Sequence, residues 1–248
     1  MKKSLTKSVL ILALAFIIAF SFSSFAFASG WLDDVESIEL DTTYNGYEES
    51  EATFAYSFNI PAKGVATLHM ESEYWHAICG DPIYIYSSKD VDNYVVKIRH
   101  SQDDLKYSSA RGVYISEDVH ALPKGKYYIV FEYDYFSDGC TYDYEFSIDY
   151  KANISSTSIT KITPKKKAFN VKYKKSGNAT GYQIKYSTKK NMSNAKKVKT
   201  TNLSKTIKNL KSGKRYYVKV RSYRKLKVDG KTKTYYSKWS GRKSVKTN

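Results

Sequence analysis

The chain has 248 residues, 15% of them aromatic with 24 tyrosines, and a formal net charge of +17. With 42% hydrophobic residues it can bury a core, which excludes a disordered chain, and its aromatic content favours strands. Its length allows one large or two ordinary domains.

The first 28 residues have the three parts of a secretory signal peptide. A basic start, MKKSLTK, precedes an apolar run from Val9 to Phe20 and a small-residue site at Ala26–Ala28. The alternative, a membrane anchor, is disfavoured because no basic stop-transfer segment follows. We therefore predict cleavage after Ala28, secretion from a bacterium to an extracellular or cell-wall location, and no membrane insertion afterwards.

The charge divides the remaining chain into two parts. Residues 31–150 contain eight basic and 23 acidic residues, a net charge of about −15, whereas residues 151–248 contain 30 basic residues and the single acid Asp229, about +29. Opposite charges on consecutive segments indicate two domains. We predict an acidic domain over 29–150, a linker over 151–158 and a basic domain over 159–248.

Period-two alternation recurs in both parts, while helical periodicity is nearly absent. Pro/Gly and Asp-Gly turn signals separate the apolar runs, as in all-β sandwiches. The predicted fold class is all-β, with two β-sandwich domains in tandem. The predicted strands are 52–60, 65–72, 82–88, 93–100, 126–135 and 141–150 in the first domain, and 168–175, 181–188, 195–201, 205–210, 215–223 and 232–240 in the second.

The first domain carries a Pro/Gly turn in FNIPAKGVATLHMES and a closing hairpin in which an apolar residue precedes Gly and paired aromatics. The residues of that hairpin are Leu122, Gly125, Tyr127, Tyr128, Val130 and Phe131. Over about 45–150 this pattern resembles the bacterial pre-peptidase C-terminal domain, a jelly-roll-like β-sandwich. The resemblance implies a module that accompanies secreted hydrolases and helps to bind a substrate polymer or calcium.

Calcium candidates lie in DYFSDGCTYDYE, where Asp134, Asp138 and Asp143, with Glu145, gather oxygen ligands near a turn. Calcium needs six to eight oxygens, and the spacing does not match an EF-hand loop. A solvated acidic hairpin is therefore the favoured interpretation, and no cofactor is predicted.

The two cysteines, Cys79 and Cys140, predict one disulfide in an oxidising compartment. A reactive or metal-binding pair is the alternative, for which His76, three residues before Cys79, is only a weak metal signal. Tyr74 and Trp75 are candidates for stacking on a glycan, with Trp31 as a third, although core packing is the commoner fate of tryptophan.

No catalytic frame is visible in the sequence. The four histidines, all in the first domain, form no metal motif, and neither a nucleophile elbow nor a phosphate loop occurs. We predict that the chain is not an enzyme. The histidines are His69, His76, His100 and His120.

The second domain carries Leu210, a Lys-Ser-Gly turn and then Tyr216 at the start of an alternating strand. With ATGYQIKYST before it and YYSKWSGRKSV after it, the segment 159–246 resembles a fibronectin type III domain of the lysine-rich kind found in Gram-positive secreted and surface proteins. The resemblance implies a tyrosine corner, in which the Tyr216 hydroxyl bonds upstream backbone. Such domains act as spacers or binding modules.

Strand parity assigns side chains to faces. Tyr216, Val218 and Val220 are predicted to face inward, as are Val171 and Tyr173, and Tyr182, Ile184 and Tyr186 share one face. Outward lysines and arginines are the candidates for binding a polyanion: Lys172, Lys174, Lys185, Lys219 and Arg221.

The basic excess predicts electrostatic association with an anionic cell-wall polymer. Lysines dominate, which favours point-charge attraction over bidentate recognition. Two alternatives stay open: a polysaccharide-binding module that uses the aromatics of the first domain, and docking of the acidic domain on the basic one within or between molecules. Secretion removes intracellular nucleic acid as a partner, and the oligomeric state is not predicted.

Overall fold

The computed structural model describes residues 35–48, 53–132 and 142–248. Regular structure in these ranges is β-strand, with two single-turn 3₁₀ helices, Trp75–Ala77 and Gln102–Asp104. The prediction of an all-β sandwich fold is confirmed.

The first sandwich consists of two five-stranded sheets. One has the order β1-β3-β9-β5-β6 and the other β2-β10-β4-β8-β7. The strands are β1 (Glu36–Ser37), β2 (Thr43–Glu48), β3 (Thr53–Ile60), β4 (Gly64–Ser72), β5 (Ile83–Ser87), β6 (Asp90–Ile98), β7 (Lys106–Ser108), β8 (Val113–Leu122), β9 (Gly125–Glu132) and β10 (Tyr142–Ala152).

The core of this sandwich follows from alternation along its strands. In β4, every second residue from Gly64 is buried, which places Ala66, Leu68 and Met70 between the sheets. Phe131 and Phe146 meet edge-on at the centre, with ring centroids 5.1 Å apart. Aromatic pairs in this geometry add about 0.5–1.5 kcal/mol beyond the area they bury.

The second sandwich packs a three-stranded sheet, β11-β12-β15, against the sheet β14-β13-β16-β17, in which β18 also pairs with β16. Its core contains Phe169, Ile184, Val218 and Val220, all of them inaccessible to solvent. The strands are β11 (Ile159–Lys165), β12 (Ala168–Tyr173), β13 (Gly181–Ser187), β14 (Lys196–Thr200), β15 (Ser204–Ile207), β16 (Arg215–Val228), β17 (Lys231–Tyr236) and β18 (Lys243–Lys246).

The tyrosine corner has the predicted geometry. Tyr216 is 7% exposed, and its hydroxyl accepts a hydrogen bond from the Lys211 N–H at 3.1 Å. Val218 and Val220 face inward from the same strand, as parity predicts. Gly213, in the turn beneath the ring, has φ of +67°, a conformation that glycine adopts without strain.

The sequence did not predict β8, which lies in the middle of its sheet between β4 and β7. Only Ser116 and Leu122 are buried in this strand, and the residues between them on the same face, Asp118 and His120, are polar, whereas Val119 on the other face is exposed. Pairing with β4 along nine residues, not side-chain pattern, makes this segment a strand. The strands β1, β2, β7, β11 and β18 were missed as well.

The β16–β17 hairpin of the second sandwich contacts the first. Val228, 2% exposed, belongs to the core of the first sandwich, and the Tyr235 ring packs edge-on against Tyr150 at 5.5 Å. At the turn, Asp229 Oδ2 accepts a hydrogen bond from the Leu40 N–H at 2.9 Å. The only acid of the basic domain thus serves the contact between the two domains.

Polar contacts also hold the segment between the two sandwiches, which runs from the end of β10 at Ala152 to the start of β11. The Asn178 side chain accepts from the Ser155 N–H at 3.0 Å and donates to the Asn153 carbonyl at 2.6 Å. The Ser222 hydroxyl donates to the Ser155 carbonyl. Because these bonds occupy the backbone of the segment, it is attached to the second sandwich.

Candidate functional site

A row of lysines crosses the outer face of the β13 sheet. Lys185 on β13 lies directly opposite Lys197 on β14 and Lys219 on β16. Side chains directly opposite on antiparallel strands share a face, so three like charges stand side by side over about 10 Å. Facing like charges destabilise a sheet, which makes this row a feature that folding alone does not favour.

A second row lies two residues along the same strands. Gln183 on β13 is opposite Lys199 on β14 and Arg221 on β16. We call the five cations of the two rows the basic face: Lys185, Lys197, Lys199, Lys219 and Arg221. From strand spacing the face measures about 10 Å by 7 Å.

Two aromatic rings hold Arg221 in place. Its guanidinium carbon lies 3.8 Å from the Tyr236 ring centroid and 4.3 Å from the Trp239 centroid. Its Nε and Nη2 donate to Gln183 Oε1 at 2.9 and 2.7 Å. Lys185 Nζ also lies near this group, 4.5 Å from the centroid of the Trp239 ring. Cation–π contacts contribute about 0.5–2 kcal/mol each, so part of the basic face stabilises the sheet.

Two serines position Trp239 over the sheet. After β17 ends, the Ser237 and Ser240 hydroxyls accept from the N–H groups of Ser222 and Val220, at 3.1 and 3.0 Å. The N–H groups of the same two serines donate back to the carbonyls of Ser222 and Val220. These paired bonds attach the segment to β16 and carry the tryptophan ring across Arg221.

Burial and neighbouring positive charge lower the proton affinity of Lys185. Burial first, and then the neighbouring Lys219, Lys197 and Arg221, lower the pKa of Lys185. Burial also lowers the pKa of Arg221. Among the described residues no carboxylate lies within 4.0 Å of any of the five cations. The face therefore offers unneutralised positive charge.

The structure divides the predicted polyanion candidates between two surfaces. Lys185, Lys219 and Arg221 are brought together on the basic face. Lys172, on β12, and Lys174, just after it, are exposed on the other sheet of the sandwich. They belong to a different surface, because β12 lies in the three-stranded sheet, whereas β13 and β16 lie in the larger one.

The glycan candidates lie together on a turn of the first sandwich. Tyr74 is 51% exposed, and the half-buried Trp75 ring stacks on His76 with centroids 3.6 Å apart. Cys79 is buried just after this turn. Cys140, the predicted partner of Cys79, lies outside the described residues, so the disulfide stays a prediction.

Of the calcium candidates, Asp134 and Asp138 also lie outside the described residues, as does Trp31. Asp143 is exposed near the start of β10, and its carbonyl accepts a hydrogen bond from the Ser72 hydroxyl at 2.6 Å. Within the described ranges, His, Cys, Asp and Glu form no group of three or more that could hold a metal ion. In the same ranges no helix is long and apolar enough to cross a membrane.

Sequence reasoning missed two of the five cations of the basic face and its aromatic support. Lys197 and Lys199 were placed on a strand but not singled out, and Tyr236 and Trp239 were assigned only to a strand. Because Lys197 and Lys199 are two residues apart on one strand, their side chains lie on the same face of the sheet. Which other strands lie beside them depends on strand pairing, which the local residue pattern does not specify.

No family model and no curated protein matches this chain. Solved structures that are similar include the pre-peptidase C-terminal domain of a collagenase from Bacillus anthracis, with 20% identity over 47% of this chain and 95% of that one, at a TM-score of 0.32. The FN1–FN3 domains of chicken CNTN1 match with 14% identity over 86% of this chain and 68% of theirs, at a TM-score of 0.38. A β-1,2-glucanase from Parabacteroides distasonis matches with 11% identity over 86% of this chain and 38% of its own, at a TM-score of 0.31.

Proposed function

We propose that this chain is a secreted, non-catalytic bacterial protein that binds an anionic cell-wall polymer through the basic face. In this proposal the second sandwich is a fibronectin type III-like domain and the first is a pre-peptidase C-terminal-like domain. The tyrosine corner at Tyr216 and the three-stranded sheet packed on the larger one support the fibronectin type III-like assignment of the second sandwich.

The observation that carries the proposal is the row of Lys197, Lys185 and Lys219 without a carboxylate partner in the described part of the chain. A polymer that repeats a phosphate or carboxylate along its length meets several of these charges at once. Each exposed contact is worth a fraction of a kcal/mol, so affinity comes from their number. Such binding is weakened by salt.

The test compares two triple variants that remove the same charge. In K185Q/K197Q/K219Q the central row is neutralised, whereas K161Q/K172Q/K174Q neutralises exposed lysines of the opposite sheet. Retention on cell-wall preparations is measured from about 0.1 to 1 M salt, over which the Debye length falls from about 10 to 3 Å.

We expect the central-row variant to lose about tenfold in affinity and the opposite-sheet variant to lose less than about threefold. Retention of the wild type should also fall with salt and after removal of teichoic acid. Equal losses in both triples would show that total charge, not the basic face, matters. Retention that does not change with salt would refute electrostatic binding altogether.

A second candidate, binding of a neutral polysaccharide, is favoured by the exposed Tyr74 beside Trp75. Trp75→Ala should abolish binding to a neutral glycan array without any effect of salt. Binding that survives this substitution would count against the turn as a sugar platform.

Docking between the acidic and basic parts is the third candidate. Two ion pairs support it, Lys231–Glu39 at 3.5 Å and Lys233–Asp41 at 2.7 Å. They involve only the β17 strand next to the hairpin turn and none of the five cations of the basic face. Docking and polymer binding therefore use separate residues, and one molecule can do both.

A further inference from the structure

A groove of about 440 Å³ opens at one end of the first sandwich, between its two sheets. The turn between β5 and β6 forms one wall, and the turn between β8 and β9 forms the other. Two hydrogen bonds fix these walls: the Ser88 N–H donates to the Lys126 carbonyl at 3.0 Å, and the Tyr127 hydroxyl donates to the Pro123 carbonyl at 3.0 Å. The groove is therefore formed before any ligand arrives.

The charge of the groove is opposite to that of its domain. Lys89, Lys124 and Lys126 line it, and no acid does among the described residues. Residues 31–150 have only eight basic residues against 23 acids, so three of the eight meet at this one place. The nearest acid in sequence, Asp90, directs its carboxylate to the Asn93 backbone and side chain at 3.2 Å.

None of the three lysines makes an ion pair in the described ranges. Lys126 Nζ lies 5.0 Å from the centroid of the Tyr128 ring, which is a cation–π contact and not an ion pair. In a domain with a large acidic excess, each of these lysines could lower its energy by pairing with an acid. Their collection in one concave site favours an anion that comes from outside.

A buried polar atom lies in the same groove. His120 Nε2 is shielded from solvent and has no hydrogen-bond partner within the described structure. An unsatisfied buried polar group costs about 1–3 kcal/mol, and each one in a folded protein requires an explanation. A ligand atom that exchanges a hydrogen bond with this nitrogen removes that cost.

The rest of the lining is apolar. Val96 and the buried Leu122 form the base, and Val95, 49% exposed, stands at the rim. Small-ligand sites combine such a base with a few polar groups in volumes of about 300–1,000 Å³. The dimensions suit one or two sugar rings and not a folded protein segment.

We propose that this groove binds a small organic anion, a carboxylate or phosphate joined to a body about the size of a sugar ring. The lysines hold the anionic group, the valines and leucine contact the body of the ligand, and His120 Nε2 makes a hydrogen bond to the ligand once its ring turns toward the groove. The site is independent of the basic face, which lies on the other domain.

Isothermal titration of the full protein with four probes tests this assignment: glucuronate, glucose 6-phosphate, glucose and inorganic phosphate. We expect at least one of the two anionic sugars to bind with a Kd near or below about 1 mM, and glucose and inorganic phosphate to bind at least about tenfold more weakly. Preference for glucuronate identifies a carboxylate ligand, and preference for glucose 6-phosphate identifies a phosphate ligand.

The variant K89Q/K124Q/K126Q should weaken binding of the preferred anionic sugar by about tenfold or more. The matched control K63Q/K97Q/K106Q removes the same amount of charge elsewhere in the domain. It should change the affinity for that sugar less than about twofold. His120→Leu should weaken binding about fivefold through loss of one hydrogen bond. Thermal unfolding of each variant establishes that it is folded.

Three results would overturn the proposal. One is that neither anionic sugar binds at concentrations up to about 10 mM. Another is unchanged affinity in the K89Q/K124Q/K126Q variant. The third is binding of inorganic phosphate as tight as that of the sugar phosphate, because the apolar base would then contribute nothing.

Discussion

Asp229 offers a precise test of how the two domains are joined. It occupies the turn of the β16–β17 hairpin with φ of +48°, and its carboxylate accepts the Leu40 N–H at 2.9 Å. Leu40 is only 2% exposed, so few other partners can reach its N–H. Asp229→Ala removes the acceptor and places alanine in a left-handed conformation.

The two effects can be estimated separately. A buried donor left without an acceptor costs about 1–3 kcal/mol. A left-handed backbone costs alanine about 1 kcal/mol, whereas glycine adopts it freely and asparagine tolerates it. We expect Asp229→Ala to lower the free energy of unfolding by about 2–4 kcal/mol. Asp229→Gly should cost about 1–3 kcal/mol, and Asp229→Asn less than about 0.5 kcal/mol because its side-chain oxygen still accepts.

The assay is urea unfolding of the full protein, followed by tyrosine and tryptophan fluorescence. Asp92→Ala, an exposed aspartate of the first sandwich, is the control and should lie within about 0.5 kcal/mol of the wild type. If Asp229→Asn costs as much as Asp229→Ala, the negative charge itself is required and the hydrogen-bond reasoning is refuted. An Asp229→Ala variant as stable as the wild type would refute it equally.

The same residue has a predictable pH signature. Burial, only partly offset by the Leu40 hydrogen bond, raises the pKa of Asp229 above its usual 3.8. The folded protein then holds the proton more tightly than the unfolded chain. Stability contributed by the protonated form is therefore lost as the pH rises from about 3.8 through the raised pKa. The Asp229→Asn variant should lack this loss.

Three further predictions concern single contacts. Tyr216→Phe should lower the free energy of unfolding by about 1 kcal/mol, measured by urea unfolding, because the Lys211 N–H loses its acceptor; no change would contradict the tyrosine corner. Arg221→Met should lower the melting temperature, because the lost contacts with its two aromatic neighbours stabilise the fold by about 1–2 kcal/mol. An unchanged melting temperature would show that these contacts do not stabilise the protein. Burial lowers the pKa of His100, but the hydrogen bond to Asp118 and the charge of that carboxylate, with smaller contributions from the Ile78 carbonyl and Asp104, together raise the pKa above 6.5. The stability linked to the protonated form is therefore present below pH 6.5 and is lost as the pH rises through the raised value. Urea unfolding between about pH 6 and 8 should show this loss in the wild type and not in Asp118→Asn; identical profiles would contradict the assignment.

Local alternation predicted much of the second sandwich. Tyr216, Val218 and Val220 face inward as expected, since a strand with one buried face must alternate. By the same rule Gln183 lies on the face opposite to Tyr182 and Ile184, yet it is only 7% exposed. Arg221 covers it through two hydrogen bonds, a contact that depends on the neighbouring strand.

The first sandwich was predicted less completely. The apolar β4 was recognised, but β8 was not, since its less exposed face carries the polar residues Ser116, Asp118 and His120. The groove beside His120 was likewise invisible, because Lys89 lies on the β5–β6 turn, whereas Lys124 and Lys126 lie on the β8–β9 turn and the start of β9, far away in sequence. Only the packing of the two sheets brings those turns together.

The amino-acid sequence by itself determined the strand-rich fold class, the division of charge and the inward residues of its clearest strands. Those properties depend on composition and on a side-chain period of two, which are local. The tertiary structure decided which lysines are neighbours, since Lys185 faces Lys197 and Lys219 only through strand register. It also decided that Asp229, the single acid of a basic domain, serves the contact between domains, because its partner Leu40 is 189 residues away in the chain.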